Sequence, residues 1–265
     1  MESMTTALFL FTAFGACIVG KICGMGGGVI IKPVLDAFGV LDVGTINFLS
    51  SCTVLGMSCW SVGQSIMRRE STIDFRLSTP LALGATAGGM LGKQMFTFAA
   101  GLFSDAETAG GVQAGILMTA TFLTLLYTIN QNRIATKKTR NQAMCTAIGL
   151  ALGMLGAFLG IGGGPFNMVV LYYFFSMPTK AAAQNSLYII LFSQAAGVLQ
   201  TFLTAGAPTV SAVLLGGMLV CGVIGSEAGR VLNQHMDDRA VTRCFEAVMG
   251  LIMLINGYNM WRYFT

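Results

Sequence analysis

Charge is what this sequence has least of. Asp, Glu, Lys and Arg make up 10% of its 265 residues, where a soluble domain carries about 25%. So few charges could not dress a globular surface. With 54% hydrophobic residues and a mean hydropathy of +0.72, lipid is the expected solvent for much of the chain. Histidine is nearly missing as well. The single His235 falls in an expected loop, and no Ser/His or Asp/Asp arrangement offers a catalytic centre. No Walker phosphate loop occurs, which argues against ATP hydrolysis within the chain. The seven cysteines (17, 23, 52, 59, 145, 221, 244) form no CxxC pair and mostly lie inside apolar runs, the setting of reduced, buried thiols. No metal and no cofactor is expected. The net charge of +4 is scattered over short loops, so no basic face is available for nucleic acid. Residues Met1 to Thr6 lack the basic stretch that opens a cleaved signal peptide. The first apolar run is therefore expected to remain in the mature protein.

Apolar runs of bilayer-spanning size are abundant. They cover residues 4–20, 43–66, 77–100, 109–129, 142–160, 181–204, 209–233 and 244–261. The chain also repeats itself. Gly20 to Gly28 reads GKICGMGGG and Gly156 to Gly164 reads GAFLGIGGG, an offset of 136 at which five glycines coincide without a gap. The same offset pairs Ser50 with Ser186 and Gln64 with Gln200; an offset of 133 pairs Gly84, Gly89 and Gly92 with Gly217, Gly222 and Gly225. Duplicated halves are the common plan of secondary transporters.

Basic residues favour cytoplasmic loops. Arg68, Arg69 and Arg76 follow the second run; Arg133, Lys137, Lys138 and Arg140 mark the centre; Arg230, Arg239 and Arg243, with His235, precede the last run. The 101–108 loop, with Asp105 and Glu107, and the uncharged 205–209 loop are expected outside. Counting crossings makes 142–176 a hairpin that leaves and re-enters one face, bent at its glycines, and 4–40 its counterpart from the other face. The expected fold is an all-α membrane protein of two inverted repeats, 1–136 and 137–265. Each repeat is a re-entrant, glycine-broken helical hairpin plus three transmembrane helices, and both termini lie outside the cell inner membrane.

A glycine-broken segment exposes backbone at membrane depth, tolerated only against protein or a wet cavity. New half-helices are expected to start at about Val29 and Pro165. Their first-turn amides and positive ends would suit an anion without any charged side chain. The candidate site residues are accordingly Gly26, Gly27 and Gly28 in one copy, and Gly162, Gly163 and Gly164 in the other.

The paired glycine motifs, Gly24-Met25-Gly26-Gly27-Gly28 with Pro33 and Gly160-Ile161-Gly162-Gly163-Gly164, are each followed by a short helix and a serine-bearing helix that begins around Ser50 or Asn185-Ser186. In this the sequence resembles the sulfite exporter TauE/SafE family, also called toluene-sulfonate uptake permeases. Val169 stands in the second copy where the first has Pro33. The resemblance implies a carrier of sulfur oxyanions or organosulfonates.

Lys21 and Lys32 flank the first bend and offer counter-charge to an anion, or else snorkel or pair with Asp36. Ser50, Ser186 and Asn185 offer hydrogen bonds to its oxygens. Gln64 and Gln200 read as packing or gate residues, Lys93 as interfacial, Glu227–Arg230 as a structural pair, and Cys23 as a thiol beside the bend. The expected function is secondary transport of a small anion such as sulfite, thiosulfate or a sulfonate, by alternating access around the paired breaks. An anion channel, or an intramembrane sensor or enzyme, is the alternative. The partners are the anion, the bilayer, a coupling ion (H+ or Na+) and a second copy as a homodimer.

Overall fold

The computed structural model describes residues 2–101, 106–204 and 208–264. Over these the chain is helical, with no strand. Ten α-helices follow in order: α1 Glu2–Cys23, α2 Gly28–Phe38, α3 Val43–Met67, α4 Phe75–Ala100, α5 Ala106–Asn130, α6 Gln142–Phe158, α7 Gly164–Phe175, α8 Thr179–Thr204, α9 Ala212–Gln234 and α10 Asp238–Phe264. Five are long and apolar enough to cross a membrane: α1, α5, α8, α9 and α10. The expected external loops, 101–108 and 205–209, fall largely outside the described residues, and Asp105 among them.

Helix α1 has 22 residues, about 33 Å at 1.5 Å per residue, long enough to span, whereas its repeat partner α6 has 17. Helices α3 and α4, expected as spans, have the length but fall short of the hydropathy of these five. Their Ser, Thr, Asn, Gln, Gly and Lys residues line an internal cavity described below. The expected helix starts need correction. Asp42 caps α3 by accepting a 2.8 Å bond from the Thr45 amide, so Ser50 lies two turns inside the helix, as Asn185 and Ser186 do in α8. Asp237 accepts from the Ala240 amide at 2.8 Å. That cap starts α10 six residues early and puts Arg239 and Arg243 on the helix, with Arg230 already inside α9 and only residues 235–237 between.

The two bends are alike in detail. Gly24 and Gly26 have φ of 67° and 68°, and Gly160 and Gly162 have 71° and 70°, a region costly for any residue with a Cβ. At the third glycine they part, Gly27 at φ −66° and Gly163 at 78°. The end of α6 closes with the Ile161 amide donating to the Gly156 carbonyl (3.0 Å) and the Gly160 amide to Ala157 (3.1 Å), the reversal that a left-handed glycine permits. In each hairpin the returning strand lies directly on a glycine of the outgoing helix. An ideal Cβ on Gly20 would sit 2.6 Å from the Gly27 nitrogen, and one on Gly156 would strike the Gly163 nitrogen.

The helices then pack in corresponding pairs. α4 lies along α6 as α9 lies along α1, α4 meets α8 as α9 meets α3, α10 meets α2 as α5 meets α7, and α5 packs on α10. Helices α3 and α8 run antiparallel, with Phe48 against Phe202 at one end (5.8 Å between ring centroids) and Ser65 bonded to Gln184 at the other (3.3 Å).

Adding a methyl at Gly156 forces backbone apart, so Gly156→Ala is expected to destabilise by about 1–3 kcal/mol. Gly63→Ala, with no atom within 4 Å of its Cβ, should leave stability unchanged or slightly raised. Thermal unfolding of the purified protein in detergent checks both.

Candidate functional site: a cavity floored by the second glycine bend

The ends of α3 and α8 that meet at Phe48–Phe202 belong to the wall of a cavity of about 1050 Å³. Its mouth is formed near Asp42, Thr45, Phe98 and Thr204, and its inner end by Gly160 and Gly162. Lys93 of α4 projects into the wall and donates a 2.6 Å bond to the Thr201 hydroxyl. Gln194, seven residues before Thr201 and so about 10 Å deeper along α8, lays its amide nitrogen over the Gly162 α-carbon. Asp42, at the mouth, is held below the usual carboxylate range, first by the Thr45 hydroxyl and then by backbone amides.

Behind the floor lies Lys32. It comes from α2 of the first hairpin yet ends at the bend of the second, its ammonium against Gly160. It donates to the Leu159 carbonyl (3.0 Å) and to Gln113 Oε1 (2.9 Å), and Gln113 in turn donates to the Phe158 carbonyl (2.7 Å). A cation and an amide thus occupy the carbonyl end of α6, where the helix dipole is negative and the last carbonyls have no partner in the helix. Asp36, one turn along α2, adds a favourable charge interaction to Lys32. Gln113 also lines the cavity, so one side chain connects the buried charge to the open space.

The remaining candidates divide. Gly28 and Ser50 are brought together, the hydroxyl 3.1 Å from where a Gly28 Cβ would stand. The two bends touch: the Met25 carbonyl rests on the Gly164 α-carbon, so a Cβ there would collide. Ser186 is wholly buried and its hydroxyl has no hydrogen-bond partner. Gly26, Gly27, Gly28, Gly163 and Gly164 are buried at this junction and do not line the cavity. Lys21 lies elsewhere, bonded to Ser61 at 2.5 Å. Asn185 faces the α3–α4 connection, accepting from the Asp74 amide (2.9 Å) and Ser78 hydroxyl (2.6 Å) and donating to the Thr72 and Ala181 carbonyls (3.1 and 2.7 Å). Cys23 is buried away from the cavity.

A family model for the sulfite exporter TauE/SafE group matches residues 9–256. The chain belongs to the sulfite exporter TauE/SafE family. Two proteins of Bacillus subtilis (strain 168), the probable membrane transporter proteins YjnA and YunE, are each 23% identical to it. YjnA aligns over 97% of this chain and all of its own length, YunE over 94% and 96%. No solved structure matches.

In this TauE/SafE membrane transporter, Lys93, Gln113 and Gln194 are the polar side chains that the sequence reading missed or placed elsewhere. Gln113 carried a signal, being an amide in the midst of an apolar run, and Gln194 sits at the repeat position of Ser58. Because Asn185 ties α8 to the 72–78 segment, Asn185→Leu is expected to lower stability by about 1–3 kcal/mol through the donors it strands. Anion affinity of the folded fraction should be unchanged. Thermal unfolding with and without added anion separates the two.

Proposed function

We propose that this chain is a secondary transporter of a small sulfur-bearing anion, a sulfite, thiosulfate or organosulfonate, and that the anion enters the 1050 Å³ cavity and binds at its glycine floor. One observation carries the reading: the cavity ends on a glycine turn with Lys32 behind it and Gln194 beside it, and Lys93 stands on the wall about 10 Å nearer the mouth. An oxyanion can approach glycine backbone closely. It finds amide donors from Gln194 and Gln113 and counter-charge from Lys93 on the wall. In a site shielded from water these interactions count for more than they would in solvent.

Alternating access between inverted repeats 1–136 and 137–265 fits this site. Matching dihedrals at the paired bends, corresponding helix contacts and the opposed directions of α3 and α8 all support it. So does the meeting of the two bends at Met25 and Gly164, which couples any movement of one hairpin to the other. Ser50 and Ser186, beside that junction, are hydrogen-bonding groups for an anion that has moved past the floor. We place the protein in the cell inner membrane with both termini outside, driven by H+ or Na+. Under this topology the cavity, bounded by residues 42–45 and 208–209, faces outward.

The test is anion flux in proteoliposomes holding the purified full chain, with sulfite, thiosulfate and a short alkylsulfonate set against chloride and acetate. Sulfur anions should be carried in preference; flux of none of them contradicts the proposal. Gly197 lines the cavity with no atom within 4 Å of its Cβ. Gly197→Trp is therefore expected to abolish flux while leaving the unfolding temperature unchanged. Lys93→Gln should weaken apparent affinity by about tenfold or more, equivalent to about 1.4 kcal/mol.

A further inference from the structure

The open cavity has a closed twin. Its wall positions Ala157, Gln194, Gly197 and Gln200 correspond, at the repeat offset of 136, to Lys21, Ser58, Ser61 and Gln64, while Lys93 and Gln94 correspond at 133 to Ser226 and Glu227. The second set sits on α1, α3 and α9, which pack together as α6, α8 and α4 do. Yet it is shut. Lys21 is 8% exposed, Ser61 5%, Ser226 1% and Ser58 0%.

Two features show that this closed region is a surface meant for water or a polar ligand. Its polar side chains are not fully used: the hydroxyls of Ser58 and Ser226 have no hydrogen-bond partner, and among the described residues the Lys21 ammonium donates to Ser61 alone. Stranded buried hydroxyls and a buried ammonium are costly unless another state relieves them. The second feature is what holds the region shut. Arg230 of α9 grips Glu227 Oε1 through Nε and Nη2 (3.0 and 2.6 Å). Arg68, just past the end of α3, lies 3.9 Å from Glu227, and Glu70 lies 3.9 Å from Arg230. This cluster ties α3 to α9 at the ends opposite the cavity mouth. Arg68 and Glu70 are about half exposed, and ion pairs of that kind are weak, as a latch that opens in every cycle has to be. The positions of Glu227 and Arg230 in the other copy are Gln94 and Thr97. Among the described residues no ion pair latches the open cavity.

We propose that α1, α3 and α9 enclose a second pathway for the same small oxyanion, closed in this structure, walled by Lys21, Ser58, Ser61, Gln64 and Ser226 and latched by Arg68, Glu70, Glu227 and Arg230. It rests on the transport reading above. Lys21 serves there as Lys93 serves in the open cavity, and the serine hydroxyls supply donors to the oxyanion.

Ser58→Cys and Gly197→Cys, made separately in the full chain, probe the two sides. Each is exposed in proteoliposomes to a small charged methanethiosulfonate reagent, and labelling is read site by site by peptide mass spectrometry, so native cysteines stay in place. Cys at 197 should react readily and Cys at 58 slowly. Adding Glu227→Gln should raise labelling at 58 and lower it at 197, each by about tenfold, the factor given by a 1.4 kcal/mol shift between states. Arg68→Gln, at the exposed edge of the cluster, should act in the same direction and replaces the Glu227 variant if that one folds poorly. Labelling at 58 that ignores both latch variants, in vesicles that still carry anion, overturns the second pathway and leaves the transport reading intact. Absence of sulfur-anion flux in vesicles of the parent chain overturns both.

Discussion

The fold turns on backbone lying against backbone at four glycines. Gly20 receives the Gly26–Gly27 peptide, Gly156 receives Gly163, Gly164 receives the Met25 carbonyl, and Gly24 lies against Ala183. Inside a bilayer a broken helix survives only if protein or water satisfies its exposed peptide groups. Here the breaks are folded onto their own outgoing helices and onto each other. Closeness of that order requires that no Cβ intervene. The paired motif is thus a packing device first, and its chemistry follows from where the packing puts the second bend: at the floor of a cavity.

Charge is then distributed with economy. The described spans hold few ionisable groups, and three sets of them have definable contacts. Lys32 crosses from the first hairpin to neutralise the carbonyl end of α6, which α6 cannot do for itself once Gly160 has turned the chain. Lys93 is held by one hydroxyl on the wall of open space. The ionic groups around Glu227 gather at the far end of α3 and α9, away from the cavity. A lysine that caps a helix still projects positive potential beyond it, so the structural role of Lys32 is compatible with the binding role proposed for the Gly160 floor.

Most helices were legible because hydropathy and the positive-residue pattern mark them directly. Residues 43–66, 77–100 and 181–204 match α3, α4 and α8 within about two residues, the ordinary uncertainty of helix ends. The apolar run at 4–20 already had spanning length, and α1 extends it to the bend at Cys23. Duplication pointed to the right glycines, and the dihedrals at Gly24, Gly26, Gly160 and Gly162 agree in pairs. It could not reveal that the second bend borders the cavity while the first is buried, since that difference depends on how the helices pack around each bend. Asn185 looked like a ligand because it neighbours Ser186, and Lys93 looked interfacial because it nears a helix end. Helix rotation decided both, placing Asn185 toward Ser78 and Lys93 toward Thr201.

The most direct measurement is an experimental density map of the protein in lipid nanodiscs with a bromine-labelled alkylsulfonate, the bromine locating the ligand without ambiguity. Density for the sulfonate is expected on the Gly160–Gly162 turn beside Gln194, on the side facing Lys93, with the two bends still in contact at Met25 and Gly164. A cavity filled by lipid chains with the sulfonate bound elsewhere, or bends separated from one another, would contradict a glycine floor as the place where the anion is recognised.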